Sequence, residues 1–264
     1  GGKAYETSGG LHGVGLSVVN ALSDHLIVVV ARDKAVWRQS YLRGNPTGKL
    51  KKIGKVSNRR GTSVTFHPDP KIFDLKAQFR PSTLYRMARS KAYHFRGVYI
   101  RWNCDTELIS KNDSTPEKDT LHFPGGLMDY LATMLEDRVT ITPNAFFGQA
   151  KLNGSSGSIE WAVAWPKDED FLFNSYCNTV PTPLGGTHEA GLRSALTRGL
   201  RAYGELINNK PASKIMADDA VGSACVMLSV FFPNPQFQGQ TKEKLTTVEA
   251  AKLVDTSVGD YFDH

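Results

Sequence analysis

The sequence predicts an α+β chain of two units, each a β-sheet covered by helices. Three observations lead there. Short β-branched runs alternate with stretches of helical periodicity. The composition is globular, 40% hydrophobic and 22% charged over 264 residues, enough for one large domain or two ordinary ones. A polar stretch at 110–120 precedes Gly125-Gly126, and a boundary is expected there, giving domains 1–124 and 125–264.

Along the first domain, 14–23 reads as a helix with Val14, Val18 and Leu22 on one face. Residues 26–33 are short and β-branched, 35–42 alternate, and a tight turn between them predicts a hairpin. The basic, glycine-rich stretch 44–61 reads as loop around one weak strand. A strand is expected at 62–69, ended by Pro68, then a helix at 82–95 capped by Ser82 or Thr83, and a strand at 97–103. Residues 110–120 read as a loop or hairpin tip.

In the second domain, 127–135 predicts a short helix, and 158–165 and 171–180 predict paired strands. Thr187 is expected to cap a long helix reaching about Asn208. Residues 223–232 read as a buried strand, and 246–262 as the last helix.

No apolar run approaches ~18 residues, so no membrane span is expected. The start shows no signal-peptide pattern, and it falls inside a glycine-rich segment, which suggests a preceding segment. Three widely spaced cysteines, Cys104, Cys177 and Cys225, argue against a disulfide framework or a zinc site and for a reduced, cytoplasmic setting. The net charge of +6 fits either a basic surface or a nucleic-acid partner.

Four glycines fall within seven residues at 9–15, immediately before the first helix. They fit a tight turn or close packing. They fit equally a phosphate site, where missing Cβ atoms let backbone N–H groups approach oxygens at a helix N-terminus. The spacing is neither the phosphate-loop pattern with its lysine nor the dinucleotide fingerprint, which needs a preceding strand. A lysine must come from elsewhere. The stretch 236–245 offers Gln240, Thr241 and Lys242 in a loop between a strand and a helix. A neutral donor and a point charge there suit a terminal phosphate, although the stretch alone also reads as solvated surface.

The motifs S-G-G-L-H-G-V-G, then G-T-x-V-x-F-x-P-D at 61–69, G-G-T-H-x-x-G-x-R at 185–193 and Q-T-K at 240–242 occur in this order. In that order they closely resemble the ATPase subunit of bacterial type IIA DNA topoisomerases, over essentially the whole chain. The stretches 175–193 and 234–245 resemble the topoisomerase IV branch more than the gyrase branch, though the two share every motif.

The resemblance implies the C-terminal part of a GHKL-type ATPase domain followed by a transducer domain of the ribosomal protein S5 domain 2-like kind. Gly10, Leu11, His12, Gly13, Val14 and Gly15 would contact the triphosphate, with His12 a phosphate contact and not a base. Tyr5 would lie near the adenine–ribose end, Thr62 would line the adenine floor, and Arg32 would sit at the rim where coumarin-type inhibitors bind. Gln240 and Lys242 would act catalytically by reaching the γ-phosphate. Thr187 and His188 read as helix-start structure, and the remaining histidines, His25 and His67 among them, show no pairing pattern.

The family segment carrying the water-activating Glu, the Mg²⁺-ligating Asn and the adenine-reading Asp is not in this chain. ATP and Mg²⁺ are the implied cofactors, with no Mg²⁺ ligand assigned here, and this stretch alone is not expected to turn over ATP. The implied activity is ATP-driven passage of one duplex through another, for decatenation and relaxation. Negative supercoiling, as in gyrase, and a non-catalytic nucleotide-binding module are the alternatives. The implied partners are the DNA-cleaving A-type subunit of topoisomerase IV in a heterotetramer, a second copy through the N-terminal gate, and double-stranded DNA. Arg193, Arg198 and Arg201 on the long helix are the candidate DNA contacts, through salt-sensitive phosphate pairing.

Overall fold

The computed structural model describes residues 13–168 and 170–262. They divide between Arg80 and Pro81 into two units.

The first unit opens with helix α1 (Gly15–Ala21), then strands β1 (Ser23–Arg32), β2 (Ala35–Leu42), β3 (Asn45–Pro46), β4 (Lys51–Lys55) and β5 (Gly61–Pro68). The sheet order is β3-β2-β1-β5, and β4 also pairs with β2. Strands β1 and β2 run antiparallel from Leu26↔Tyr41 to Arg32↔Ala35. Their turn, Asp33-Lys34, has φ of 51° and 61°. Positive φ at both central residues matches the twist of a two-residue hairpin, which bears out the tight turn. Helix α1 ends earlier than its periodicity suggests, because the chain enters β1 at Ser23, whose hydroxyl donates to Val19 O at 2.6 Å. None of its side chains is buried among the described residues.

The second unit holds α2 (Pro81–His94), β6 (Ile100–Asn103), β7 (Lys118–Leu121), α3 (Leu127–Leu135), β8 (Phe146–Lys151), β9 (Ser158–Ala164), β10 (Leu172–Cys177) and β11 (Val180–Pro181). Then come α4 (Thr187–Leu206), α5 (Ala217–Val221), β12 (Cys225–Phe231), β13 (Phe237–Gln238), β14 (Lys244–Leu245) and α6 (Val248–Phe262). Its main sheet runs β11-β10-β12-β9-β8. The expected pairing of 158–165 with 171–180 is therefore corrected: β12 lies between them, antiparallel to β9 and parallel to β10. The most apolar strand takes the centre, where both faces are covered.

Period-two alternation sorts this sheet into two cores. Trp161, Val163, Val226, Leu228 and Val230 join Leu192 and Leu196 of α4 and Val254 and Val258 of α6. Ala162, Ala164, Cys225 and Met227 face the other way, onto Leu127, Tyr130 and Leu131 of α3.

That second core also takes in Tyr93 of α2. Its ring stacks on Phe123 at 3.7 Å and Tyr130 at 4.2 Å. Arg96 pairs with Glu160 of β9, and Lys91 Nζ donates to Thr179 O at 2.9 Å. Residues 81–124 thus pack with residues 125–262. The compact unit that begins at Pro81 therefore contains both the expected boundary near 124 and the segments on either side of it. The expected cap of the long helix is corrected. Thr187 is not the cap of α4: Gly186 holds that position without a side-chain bond, and the Thr187 hydroxyl donates to Thr247 O at 2.6 Å.

No helix among the described residues is long and apolar enough to cross a membrane.

Candidate functional site

Tyr5, Gly10, Leu11 and His12 lie outside the described residues. The glycine turn enters at Gly13, with φ 67°, a conformation that glycine adopts without Cβ strain. Val14 then caps α1, with no side-chain cap and no acidic residue in the first turn. The first ladder bond runs from Val18 N to Val14 O at 2.9 Å. The preceding N–H groups lie outside the ladder, and the helix end carries a partial positive charge. Gly15 meets nothing within 4 Å of an added Cβ. This end of the helix suits an anion.

Thr62 sits on β5 opposite Val30 of β1. With Val30, Ala31, Arg32, Asp33, Arg60 and Gly61 it lines a cavity of about 390 Å³. The structure therefore brings Thr62 and Arg32 to one cavity, and Gly13, Val14 and Gly15 are not among its lining residues. Arg32 Nε lies 3.2 Å from Asp33 Oδ2, both highly exposed, so the pair is screened and leaves Arg32 available to a ligand. Arg60 groups by sequence with a solvated basic cluster. Its place beside Gly61-Thr62 is the signal that ties it to the cavity.

Asp69, at the end of the G-T-x-V-x-F-x-P-D motif, is structural. The buried Asp69 carboxylate accepts from Arg43 Nε at 2.6 Å and from Lys71 N at 2.9 Å. Those bonds, Arg43 first, hold its pKa below the usual carboxylate range against the opposing effect of burial.

In the second unit, Gln240 and Lys242 occupy the tip of the β13–β14 hairpin, a tighter setting than the expected strand-to-helix loop. Lys242 has φ 59°, and its N–H closes the turn onto Gly239 O at 3.3 Å. Gln240 is exposed and Lys242 half-buried. The Lys242 ammonium lies 6.0 Å from the Phe237 ring centroid. Burial pushes the nearby Cys177 thiol up to about 12, with the Lys242 charge opposing.

The hairpin is docked on the G-G-T-H turn. Leu245 N donates to Gly185 O at 3.1 Å, and Leu184 N donates to Glu243 O at 3.0 Å. Gly186 and Leu245 form a bridge. Two motifs far apart in sequence are therefore one structural unit, which sequence reasoning missed. His188, expected to be helix-start structure, is fully buried in α4. Its Nε2 meets Thr182 Oγ1 at 2.9 Å, and burial pushes its pKa down to about 4. Ser175 donates to Glu189 Oε1 at 2.6 Å beside it.

Each of the three α4 arginines has a partner within the unit. Arg198 Nη1 reaches both oxygens of Asp255 on α6, at 2.8 and 2.9 Å. Arg201 Nε donates to Ile215 O at 2.6 Å. Arg193 stacks over Phe173 at 5.1 Å. Arg198 and Arg201 also line an open cavity of about 640 Å³.

Solved structures share this fold. The topoisomerase IV ATP-binding domain of Francisella tularensis, in complex with a small-molecule inhibitor, matches 96% of this chain and 67% of its own at TM-score 0.73 and 32% identity. The 43K ATPase domain of Thermus thermophilus gyrase B, in complex with an aminocoumarin, matches 95% of this chain and 65% of its own at TM-score 0.75 and 28% identity. The class is the α+β fold of GHKL-type ATPase domains. The DNA topoisomerase 4 B subunit of Bartonella bacilliformis is 53% identical over the whole chain, which spans 38% of that protein. The chain belongs to the DNA gyrase B family, matched over residues 126–264.

Proposed function

We propose that this chain is the nucleotide-operated part of a type IIA DNA topoisomerase, of the topoisomerase IV kind. The observation that carries the reading is the family match at 126–264 in a chain that also holds the glycine turn, the Thr62 cavity and the Q-T-K hairpin. The 53% identity to a topoisomerase 4 B subunit favours decatenation and relaxation over negative supercoiling. In this reading 125–264 is the transducer, which the start of the family match at residue 126 supports. The helix and hairpin of 81–124 are then the end of the ATPase domain.

The residues present fit ATP. The turn at Gly13, Val14 and Gly15 offers N–H groups and a positive helix end to phosphate oxygens. The cavity at Thr62 falls in the ~300–1,000 Å³ range of small-molecule sites. Thr62 would bind the base end, Arg32 would sit at its rim, and Gln240 and Lys242 would hold the γ-phosphate as donor and counter-charge. When bound, Mg²⁺ would neutralise phosphate charge; none of its ligands is assigned to this chain. Loss of the γ-phosphate removes the contact to Lys242, and the docked G-G-T-H turn is the neighbour that would register it. The proposed partners are the A-type subunit of topoisomerase IV, a second copy of this protein and double-stranded DNA. Arg193, Arg198 and Arg201 are the proposed DNA contacts, and the bacterial cytoplasm is the proposed setting.

The test is ATP turnover, with and without DNA, by the full-length protein carrying this chain, together with its A-type partner. Wild type should hydrolyse ATP and decatenate linked circles, and Lys242→Ala should lose at least about 1.4 kcal/mol of transition-state stabilisation, a tenfold fall in turnover. Unchanged turnover in Lys242→Ala removes the role given to the hairpin tip.

A further inference from the structure

Strands β1 and β5 pair His25 directly with His67, whereas the neighbouring pair is Ser23 with Pro68. Two residues advance on β1 for one on β5, so Asp24 is the extra residue of a β-bulge. A bulge breaks the strict up-down alternation and re-aims a side chain. Here it sets Asp24 beside His25, facing His67 across the ladder. The two imidazole rings stack with centroids 5.4 Å apart and planes 4° apart. His25 Nδ1 lies 2.8 Å, and His67 Nδ1 3.0 Å, from the same Asp24 Oδ1. Both rings are about half exposed and the carboxylate is more covered.

We propose that Asp24, His25 and His67 form a surface site for a divalent transition-metal ion, with zinc as its fitting occupant. The donor set is two imidazole nitrogens and one carboxylate oxygen, which suits zinc and its neighbours and not the all-oxygen preference of magnesium or calcium. All the ligand atoms lie within 4.8 Å of one another. A tetrahedral ion bonded at ~2.0–2.1 Å needs its ligands roughly 3.3 Å apart, so closing the site takes small side-chain movements on a backbone that is already placed. Each neutral ring would carry its proton on Nε2 and present Nδ1 to the ion. Three protein ligands leave a fourth position for water or an exchangeable group. The ion would clamp the start of β1 to the end of β5. This site shares no residue with the Thr62 cavity and does not depend on the nucleotide reading.

The experiment is a calorimetric titration of the full, metal-stripped chain with zinc chloride, repeated on Asp24→Asn, His25→Gln, His67→Gln and His67→Ala. His122→Ala is the control: His122 stacks on Tyr99 in another unit. Far-UV circular dichroism checks that each variant is folded, and two different His67 variants guard against a folding artefact. Wild type should take up one saturating equivalent whose loss follows any of the three ligands, with affinity falling at least about tenfold and the control unchanged. Cobalt(II) in place of zinc should give a tetrahedral visible spectrum without thiolate charge transfer. The proposal is overturned by no saturating equivalent, by an affinity unmoved in Asp24→Asn and both His67 variants, or by a cobalt–thiolate band pointing to a cysteine.

Discussion

Gly186 is the position where a single methyl group tests how the Q-T-K hairpin is held. Its φ of 146° and ψ of −165° lie in a region populated essentially by glycine, where another residue costs ~1–3 kcal/mol. An alanine Cβ there would lie 2.3 Å from Leu245 O and 2.8 Å from Leu245 N and Cβ. Two of those atoms are backbone, so relief requires moving β14 away from the helix. That movement breaks the Leu245 N to Gly185 O bond and strains the bond from Thr187 to Thr247, each worth about 1 kcal/mol. Gly186→Ala should therefore destabilise the 81–262 unit by about 3–5 kcal/mol. Urea unfolding at constant m-value reads this directly. Gly97→Ala, whose Cβ meets nothing within 4 Å, is the control and should stay within about 0.5 kcal/mol. A Gly186→Ala midpoint as close to wild type as the control's would refute the docking argument.

Stability should also fall in mild acid. Burial pushes both His94 and His188 down to about 4 from 6.5. Between those values the unfolded chain binds protons that the folded chain refuses, so stability is lost as pH drops from 6.5 towards 4, by up to about 3 kcal/mol per histidine. Urea midpoints that stay level from pH 7 to 4.5 would contradict it. Tyr93→Ala tests the division at Arg80/Pro81: removing this fully buried ring should cost about 3–5 kcal/mol. Hydrogen exchange should then quicken at β12 and stay unchanged at β1 and β2, and the reverse pattern would place α2 with the first sheet.

Local pattern makes much of this chain legible. The 127–135 helix shows in its periodicity, the 33–34 turn in the two strands beside it, and β12 in a run of apolar residues long enough for one buried strand. The Thr62 and Arg32 positions are reached through resemblance alone, and the structure adds that both line one cavity. What local pattern does not give is which distant segments meet. Strands β9 and β10 are consecutive and so read as a pair, yet β12, some fifty residues further on, separates them. The stacking of Tyr93 on Phe123 and Tyr130 is likewise not announced by any local pattern. Gly186 against Leu245, and His25 with Asp24 against His67, leave no local mark at all, since register and a bulge set them.

By itself the sequence determined the α+β class, the family motifs and the residue types suited to a triphosphate. Those depend on short-range periodicity, on backbone freedom at glycine and on the chemistry of single side chains. Only the tertiary structure decided strand order, the line between the units, the docking of the hairpin on its glycine turn and the meeting of two histidines with an aspartate. Such contacts are chosen by competition among many segments for the same buried surface, and their energies do not appear within any one stretch of chain.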